Sequence, residues 1–321
     1  MKKILGLVFV IFQILIISSC SQTVEEHDVY VTVYPMKYIT EELFDNTEYT
    51  VDIVPGATSH EHSAEWAPKQ IIAMKNASYL FYIGANYDQY IDMKLNVFEE
   101  ANVQLVKMET EMEFIEGIIH EHDHDDNHDE ENDTDANGES PLGKDPHFWI
   151  SPIRVLTLLD IIYNHLTIEF PDITETLDNN YINLKARLQM LHIDYLEAIS
   201  VLRRPVVTST NLYGYLENDY DLDFIPISPG YHEEPDNMMP NDTEEILYEI
   251  EIHSITKLIY ENRKTSPATD IIYDEMERLD IEPEKLYFDI LQSLPDDEIE
   301  LGKDYISVMY DNLDILITAG K

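Results

Sequence analysis

The sequence predicts an α/β protein with two lobes, each a small parallel sheet flanked by helices, joined by a long bridging helix. Short β-branched and aromatic runs alternate with segments of helical period towards both ends of the chain, a pattern typical of parallel sheets covered by helices. The middle of the chain has helical periodicity alone. In addition, 44% of the 321 residues are hydrophobic, which is enough to build cores for two domains of ordinary size.

Each lobe is predicted from four strand segments and the helices between them. In the first lobe the strands are Val29–Tyr34, Thr50–Val54, Tyr79–Ile83 and Val103–Lys107, and the helices are Met36–Phe44, Pro68–Asn76 and Tyr87–Glu100. In the second lobe the strands are Pro205–Thr208, Phe224–Ile227, Lys257–Tyr260 and Leu286–Phe288, and the helices lie near residues 241–253, 267–279 and 303–318.

Between the lobes the sequence has no strand signal, and Pro171 interrupts its helical periodicity. From Ile173 onward, apolar side chains recur at three- and four-residue steps, as on one face of a helix: Leu177, Tyr181, Leu184, Leu188, Leu191, Tyr195 and Ile199. A helix of about 28 residues would be about 42 Å long, enough to bridge two lobes. We therefore expect a first lobe at residues 20–172, a linking helix at 173–203 and a second lobe at 204–321.

Acidic residues dominate the charge balance of the chain. It contains 64 Asp and Glu against 20 Lys and Arg, which gives a formal net charge of −44. This charge excludes nucleic-acid partners, because a protein that binds nucleic acid needs basic patches to displace the counterions of the phosphates. It makes cations the natural ligands. The single cysteine, Cys20, excludes an intramolecular disulfide framework and a thiolate metal cage.

Residues 1–19 have the features of a signal peptide. Lys2 and Lys3 precede an almost wholly apolar run, Ile4–Ile17, which is short for a membrane-spanning helix. The run continues into Ser18-Ser19-Cys20, which resembles a bacterial lipobox. The resemblance implies cleavage before Cys20, lipidation of its sulfur, and attachment to the extracytoplasmic face of the cell membrane through the lipid alone. The alternative is an uncleaved anchor helix with an incidental cysteine.

Residues 109–139 form a dense acidic segment with almost no apolar residue after Ile119, so we expect a mobile loop. The segment matches the metalloprotease pattern H-E-x-x-H, but that pattern requires a helix and this run has no apolar face to support one. We interpret the match as an accident of composition. Two interpretations remain open: weak capture of divalent cations by imidazoles and carboxylates, or a solvated insertion. The histidines concerned are His120, His122, His124 and His128.

Imidazole and carboxylate groups occur where predicted strands end or a helix begins. His60 and His62 follow the second strand, His147 precedes a helix, and Asp289 directly follows the last strand. Open α/β sheets bind ligands at the carboxyl ends of their strands, and a carboxylate at the end of an apolar strand needs a partner. Each residue taken alone is compatible with a surface or capping role. Together they place imidazoles in one lobe and a carboxylate in the other, as a site between two lobes requires.

These residues lie in motifs that resemble the zinc- and manganese-binding receptor lipoproteins of bacterial ABC importers, over nearly all of the mature sequence. The most specific motif, D-P-H-x-W-x-x-P, is matched by Asp145, Pro146, His147, Trp149 and Pro152. The motif H-x-x-E-x-x-P is matched by His62, Glu65 and Pro68, and counting from Pro55-Gly56 gives His60 instead. Further matches are Arg204–Thr208 with Gly214-Tyr215, Phe288-Asp289, Asp304-Tyr305 and Asn312-Leu313. An acidic, histidine-rich insertion before the D-P-H motif is typical of the zinc-binding members.

The resemblance implies a monomeric receptor that binds one divalent cation in the cleft between its lobes and delivers it to a membrane permease. The implied ligands are His62 (or His60), His147 and Asp289. This nitrogen and oxygen set suits Zn²⁺, with Mn²⁺ as the alternative because oxygen-rich sites suit that ion better.

The chain departs from the family at one ligand position in the second lobe. Where the family has a His or a Glu, this chain has Thr210, and a neutral hydroxyl is a poor substitute ligand. Two replacements remain open. One is His232, in the loop Pro229–Pro240 of the same lobe, and the other is a water molecule.

Two functions of other classes are also compatible with the sequence. A zinc hydrolase uses three protein ligands and an open coordination position, and here Glu65 and Glu261 are the only candidate general bases. A cation-sequestering surface protein would need no transporter. The family resemblance favours the receptor, which is not an enzyme.

Overall fold

The computed structural model describes residues 24–57, 65–98, 101, 103–117, 143–231, 240–262 and 266–321. Several residues singled out in the sequence lie outside these ranges: Cys20, His60, His62, His120, His122, His124, His128 and His232. In the part of the chain that the structure describes, no helix is both long enough and apolar enough to cross a membrane.

The first lobe contains a four-stranded sheet in which every pair of neighbouring strands is parallel. Its strands are β1 (Val29–Val31), β2 (Val51–Ile53), β3 (Tyr79–Tyr82) and β4 (Gln104–Lys107), arranged in the order β2-β1-β3-β4. Its helices are α1 (Tyr34–Phe44), α2 (Pro68–Asn76), α3 (Gln89–Asp92), α4 (Leu95–Phe98) and α5 (Met108–Glu111). Proline opens α2, a position where the missing N–H costs no hydrogen bond.

Two long helices follow the first lobe. They are α6 (Pro152–Glu169), preceded by a 3₁₀ turn at Phe148–Ile150, and α7 (Thr174–Ile199), preceded by a second 3₁₀ turn at Pro171–Ile173. With 26 residues, α7 is about 39 Å long. It packs against α6 and against α1 of the first lobe.

The second lobe repeats the plan of the first. Its strands are β5 (Val206–Thr208), β6 (Phe224–Pro226), β7 (Lys257–Glu261) and β8 (Glu284–Phe288), in the all-parallel order β6-β5-β7-β8. Its helices are α8 (Gly214–Tyr220), α9 (Pro240–His253), α10 (Pro267–Arg278), α11 (Asp296–Glu300) and α12 (Tyr305–Ala319). Helix α12 packs against α7, so the long helix contacts both lobes. The predicted fold class is confirmed.

The two lobes share one apolar core. A continuous cluster of buried side chains extends from Val31 and Phe81 in the first sheet, through Leu188 of α7, to Leu216 and Phe288 in the second lobe. Smaller clusters fill the opposite faces of the two sheets. Burial of this kind stabilises a fold by roughly 25 cal/mol per Å² of apolar surface, so the long helix and both sheets stabilise one another.

A partly buried ion pair also joins the lobes. Arg154 on α6 donates from Nη2 to Asp219 Oδ1 (2.7 Å) and from Nε to Asp219 Oδ2 (2.8 Å), and Asp219 belongs to α8 of the second lobe. This two-point geometry is stronger and more directional than a single contact. Ser151 donates to the same carboxylate, 2.7 Å from Oδ2. The start of α6, just after the D-P-H motif, is therefore fixed against the second lobe.

Three predicted segments differ from the structure. The strand predicted at Val29–Tyr34 ends at Val31, because Tyr34 and Pro35 already begin α1. The helix predicted at Tyr87–Glu100 is instead the two single turns α3 and α4. The mobile loop predicted at 109–139 is wrong for its first residues, because residues up to Glu111 are helical, and Met112 and Phe114 are buried in the main core. Residues 118–139 lie outside the described ranges.

Candidate metal site

His147 is held in one orientation by a buried carboxylate two residues before it. Its Nδ1 lies 2.8 Å from Asp145 Oδ1, and its backbone N–H donates to the same oxygen, also at 2.8 Å. Both side chains are 1% exposed. A carboxylate oxygen accepts hydrogen bonds, so Nδ1 is the donor in this pair and Nε2 is the ring nitrogen left for a metal ion. This is the arrangement in which a histidine binds a metal ion through Nε2.

Asp145 is itself fixed by both lobes. Its backbone N–H donates to the carbonyl of Ile115 (2.9 Å), and its carbonyl accepts a hydrogen bond from the hydroxyl of Tyr215 on α8 (2.9 Å). Since Tyr215 belongs to the second lobe, the orientation of the His147 ring depends on contacts from both lobes.

Three aromatic rings surround the imidazole of His147. The ring centroids of Tyr87, Trp149 and Tyr231 lie 6.1, 5.4 and 5.0 Å from that of His147, all in edge-on arrangements. Tyr87 and Trp149 belong to the first lobe, whereas Tyr231 follows β6 in the second. His147 therefore lies at the junction of the lobes, in an apolar surrounding that strengthens electrostatic interactions.

The segment that carries Asp289 crosses to the first lobe immediately after β8. The indole N–H of Trp149 donates to the carbonyl of Ile290 (2.8 Å), and the backbone N–H of Tyr34 donates to the carbonyl of Gln292 (3.1 Å). On the other side, the amide of Asn312 on α12 accepts from Asp289 N (2.9 Å) and donates to Asp289 O (2.7 Å). These contacts fix the backbone of Asp289 between the lobes.

Thr210, Glu261 and Asp289 lie at the carboxyl ends of the adjacent strands β5, β7 and β8. Glu261 Oε1 accepts hydrogen bonds from the backbone N–H of Thr210 (3.2 Å) and from the hydroxyl of Tyr213 (3.1 Å). Thr210 is 6% exposed, whereas Glu261 keeps part of its surface accessible. The carboxyl group at the end of the Glu261 side chain is buried, and this burial is the main cause that raises its pKa to about 7. The second-lobe edge thus offers oxygen atoms and no imidazole among its described residues.

A second buried carboxylate, Asp88, shapes the first-lobe edge and was not predicted from the sequence. It is 0% exposed and accepts hydrogen bonds from Thr32 Oγ1 (2.8 Å), Ile83 N (2.7 Å) and Gly84 N (2.8 Å). Burial raises the pKa of Asp88 to about 6, although these three donors oppose the shift. Asp88 holds the loop that carries Tyr87 against His147. An acidic residue soon after an apolar strand is the sequence signal that could have identified it.

The predicted ligands are only partly described. The structure places His147, Thr210 and Asp289 around the junction of the lobes, whereas His60, His62 and His232 lie outside its described ranges. Among the residues within those ranges, no three His, Cys, Asp or Glu side chains come close enough to hold a metal ion. The predicted set needs His62 or His60 as its third member and stays a prediction.

Comparison with known proteins gives consistent matches. Residues 29–319 match the family described as zinc-uptake complex component A, periplasmic. The chain is 25% identical over 290 residues to the zinc-binding lipoprotein AdcA of Streptococcus pneumoniae, covering 89% of this chain and 54% of that protein. It is also 25% identical over 286 residues to the high-affinity zinc uptake system protein ZnuA of Bacillus subtilis, covering 89% and 85%.

The fold is similar to solved structures as well. The Zn(II)-bound ZnuA-like domain of Streptococcus pneumoniae AdcA matches with a TM-score of 0.69 at 22% identity, covering 92% of this chain and 99% of that domain. The chain spans about half the length of the streptococcal relatives that it matches.

Proposed function

Because the chain belongs to the family of zinc-uptake complex component A, periplasmic, we propose that it binds one Zn²⁺ ion between its lobes and delivers it to the permease of an ABC importer. Its family consists of zinc-uptake components and not of enzymes. The function therefore consists of selective binding and release of an ion, with no chemical step. We further propose that the receptor acts as a monomer held at the membrane by lipidated Cys20.

The observation that carries this proposal is the buried pair of His147 and Asp145. A carboxylate bound to Nδ1 fixes the ring and raises the basicity of Nε2, and partners of this kind contribute substantially to metal affinity. An imidazole beside carboxylate oxygens suits zinc better than manganese, which prefers oxygen ligands. The relatives named as zinc-binding support the same ion.

The proposed ligands are His147 and His62 (or His60) from the first lobe and Asp289 from the second. The backbone of Asp289 is fixed by Asn312, and its Oδ1 accepts a hydrogen bond from the backbone N–H of Leu291 (2.8 Å), so the carboxylate needs little ordering when the ion arrives. A preordered donor loses less conformational entropy on binding.

The acidic character of the chain supports a role in cation capture. With a net charge of −44, the surface raises the local concentration of cations and speeds their encounter with the site. We propose that His120, His122, His124 and His128 form an accessory loop that binds further ions weakly. A hydrolase is not supported, because the family that the chain matches is one of zinc-uptake components.

The proposal is tested by metal analysis and competitive zinc titration of the purified protein. We expect His147→Ala and Asp289→Ala to weaken zinc binding at least about tenfold, which corresponds to about 1.4 kcal/mol. The matched control is His253→Ala, because His253 is partly exposed on α9 and pairs only with Glu249 among the contacts described for it. Circular dichroism shows whether each variant is folded, and His147→Gln serves if alanine disturbs the core. Unchanged zinc affinity in a folded His147 variant would remove this site.

A further inference from the structure

The outer surface of the first lobe, away from the cleft, carries exposed apolar side chains. Helices α2, α3 and α4 cover the face of the first sheet that is opposite the main core. On their outer side Ile72 of α2 is 56% exposed, Met93 between α3 and α4 is 64% exposed, and Leu95 of α4 is 37% exposed. Trp66 joins the two parts of this surface, because it precedes α2 and its ring packs against Phe98 of α4. Exposed apolar groups of this kind are typical of an interaction surface, here named the α2–α4 face.

The α2–α4 face is basic, although the chain as a whole is strongly acidic. Residues 65–98 contain three lysines and three acidic residues, whereas the whole chain has 20 Lys and Arg against 64 Asp and Glu. Of these three acidic residues, Asp88 is buried and Asp92 pairs with Lys107 (2.9 Å). Glu65 therefore remains to offset the three lysines. The lysines are Lys69, Lys75 and Lys94.

The lysines alternate with the exposed apolar side chains. Lys69, Ile72 and Lys75 recur at three-residue steps along α2, so they are neighbours on the surface of that helix. Lys94 lies between two exposed apolar residues, and its ammonium nitrogen is 4.4 Å from the centroid of the Trp66 ring. Lysines attract the headgroups of anionic phospholipids, and apolar side chains beside them can enter the boundary of the acyl region. The chemistry of the α2–α4 face therefore matches an anionic lipid surface.

The N-terminal segment of the chain reaches the same face. Val24, where the described structure begins, packs against the apolar cluster beneath the α2–α4 face. Glu26 accepts a hydrogen bond from the side chain of Asn76 at the end of α2 (3.3 Å). Cys20 is four residues before Val24, and four residues span at most about 14 Å. A lipid attached to Cys20 would therefore hold the α2–α4 face close to the membrane.

We propose that the α2–α4 face rests on the anionic lipid surface to which Cys20 is anchored. This inference rests on the proposed function through the lipidation of Cys20. The anchor keeps the face at a high local concentration beside the lipid headgroups, so that individually weak contacts are sufficient. The more acidic surfaces of the protein are repelled by the same headgroups, which favours this orientation over others.

Trp66 provides the measurement. The chain contains two tryptophans, and the other one, Trp149, is 0% exposed at the junction of the lobes. Quenching of tryptophan fluorescence by a phospholipid with a spin-labelled headgroup therefore reports on Trp66. The lipidated protein is reconstituted in vesicles of phosphatidylcholine, with or without the anionic lipid phosphatidylglycerol. We expect quenching at least about twofold stronger on the anionic vesicles, and a decrease of this difference as salt is added.

Charge reversal on the α2–α4 face tests whether its lysines cause the contact. Lys69→Glu combined with Lys75→Glu should lower the quenching on anionic vesicles to the level on neutral ones. The matched control is Lys257→Glu combined with Lys321→Glu, which changes the net charge equally in the second lobe and should leave the quenching unchanged. Circular dichroism shows whether the variants are folded, and Lys69→Glu alone serves if the double variant is not. Equal losses in both double variants would show that net charge decides, and would overturn the inference.

Further outcomes separate this inference from the proposed function. Equal quenching of the unchanged protein on both kinds of vesicle would overturn the inference, whereas the zinc titration would still decide the function. If folded His147→Ala binds zinc as before but the lysine-dependent quenching is present, the proposed zinc site fails and this inference stands. If mass spectrometry finds Cys20 without a lipid, the anchor and this inference fail together. If Lys69 resists acetylation in native membranes although vesicles give no lysine-dependent quenching, a membrane protein covers the face, which overturns the inference.

Discussion

Replacing Glu261 with glutamine should stabilise the metal-free protein at neutral pH. The carboxyl accepts both of its described hydrogen bonds, from Thr210 N and Tyr213 Oη, through the single oxygen Oε1. A glutamine side-chain oxygen can accept the same two bonds without carrying a charge. The substitution therefore keeps the contacts and removes the cost of ionising a largely buried group.

The size and pH dependence follow from the pKa of Glu261, which burial raises from its ordinary value of 4.5 to about 7. The folded state therefore binds the proton more tightly than the unfolded state. The stability that this tighter proton binding contributes is fully present below pH 4.5 and is lost as the pH rises to about 7. One pKa unit corresponds to about 1.4 kcal/mol, so Glu261→Gln should gain at most about 3 kcal/mol above pH 7 and nothing near pH 4.5.

The assay is urea unfolding of both proteins in the presence of a chelator, at several pH values between 4.5 and 8. Glu300→Gln is the control for charge alone, because it removes one exposed carboxylate from a strongly acidic chain. Asp88→Asn is the control for geometry. Both oxygens of Asp88 accept from backbone N–H groups, so an amide nitrogen would face a donor, and we expect a loss of about 1–3 kcal/mol. A loss of stability in Glu261→Gln that does not change with pH would refute the reasoning.

Two further predictions concern metal binding. Asp145→Asn should weaken zinc binding roughly 10–100-fold, because the neutral amide no longer raises the basicity of His147. Calorimetric titration checks this, and unchanged affinity in a folded variant would contradict it. Deletion of residues 121–139 should leave the melting temperature of the metal-free protein and the tight site unchanged, while lowering the number of weakly bound zinc ions. Metal analysis after dialysis measures that number, and loss of the tight site would show that the segment contributes a ligand.

The fold could be predicted because its determinants are local. Each strand is a short apolar run bounded by turn residues, and the face of α7 follows from the repeat of Leu184, Leu188 and Leu191 along the sequence. The ends of elements were less certain, since they depend on contacts made elsewhere. The early end of β1 is set by the start of α1 at Tyr34, whereas the buried positions of Met112 and Phe114 are decided by packing against distant segments.

Sequence motifs singled out the residues from which the candidate site is built. The D-P-H motif marked His147 and its neighbour Asp145, Asp289 stood out as a carboxylate after an apolar strand, and the role of His147 and Asp289 as ligands stays a prediction. The contact between Tyr231 and His147 could not be predicted, because the two residues lie in different lobes and no spacing rule relates them. The hydrogen bonds from Thr210 and Tyr213 to Glu261 were hidden as well, because they join the ends of two strands of the second lobe that are about 50 residues apart in the sequence.

Under the proposed function, the two lobes contribute unequal donors to the ion. The first lobe presents an imidazole whose ring is fixed by a buried carboxylate and three aromatic rings, so it holds its geometry before the ion arrives. The described edge of the second lobe presents oxygen atoms: a carboxylate at Asp289 and hydroxyls at Thr210 and Tyr231. Zinc binds imidazole nitrogen more strongly than a neutral hydroxyl. The second lobe therefore depends on the Asp289 carboxylate for its hold on the ion.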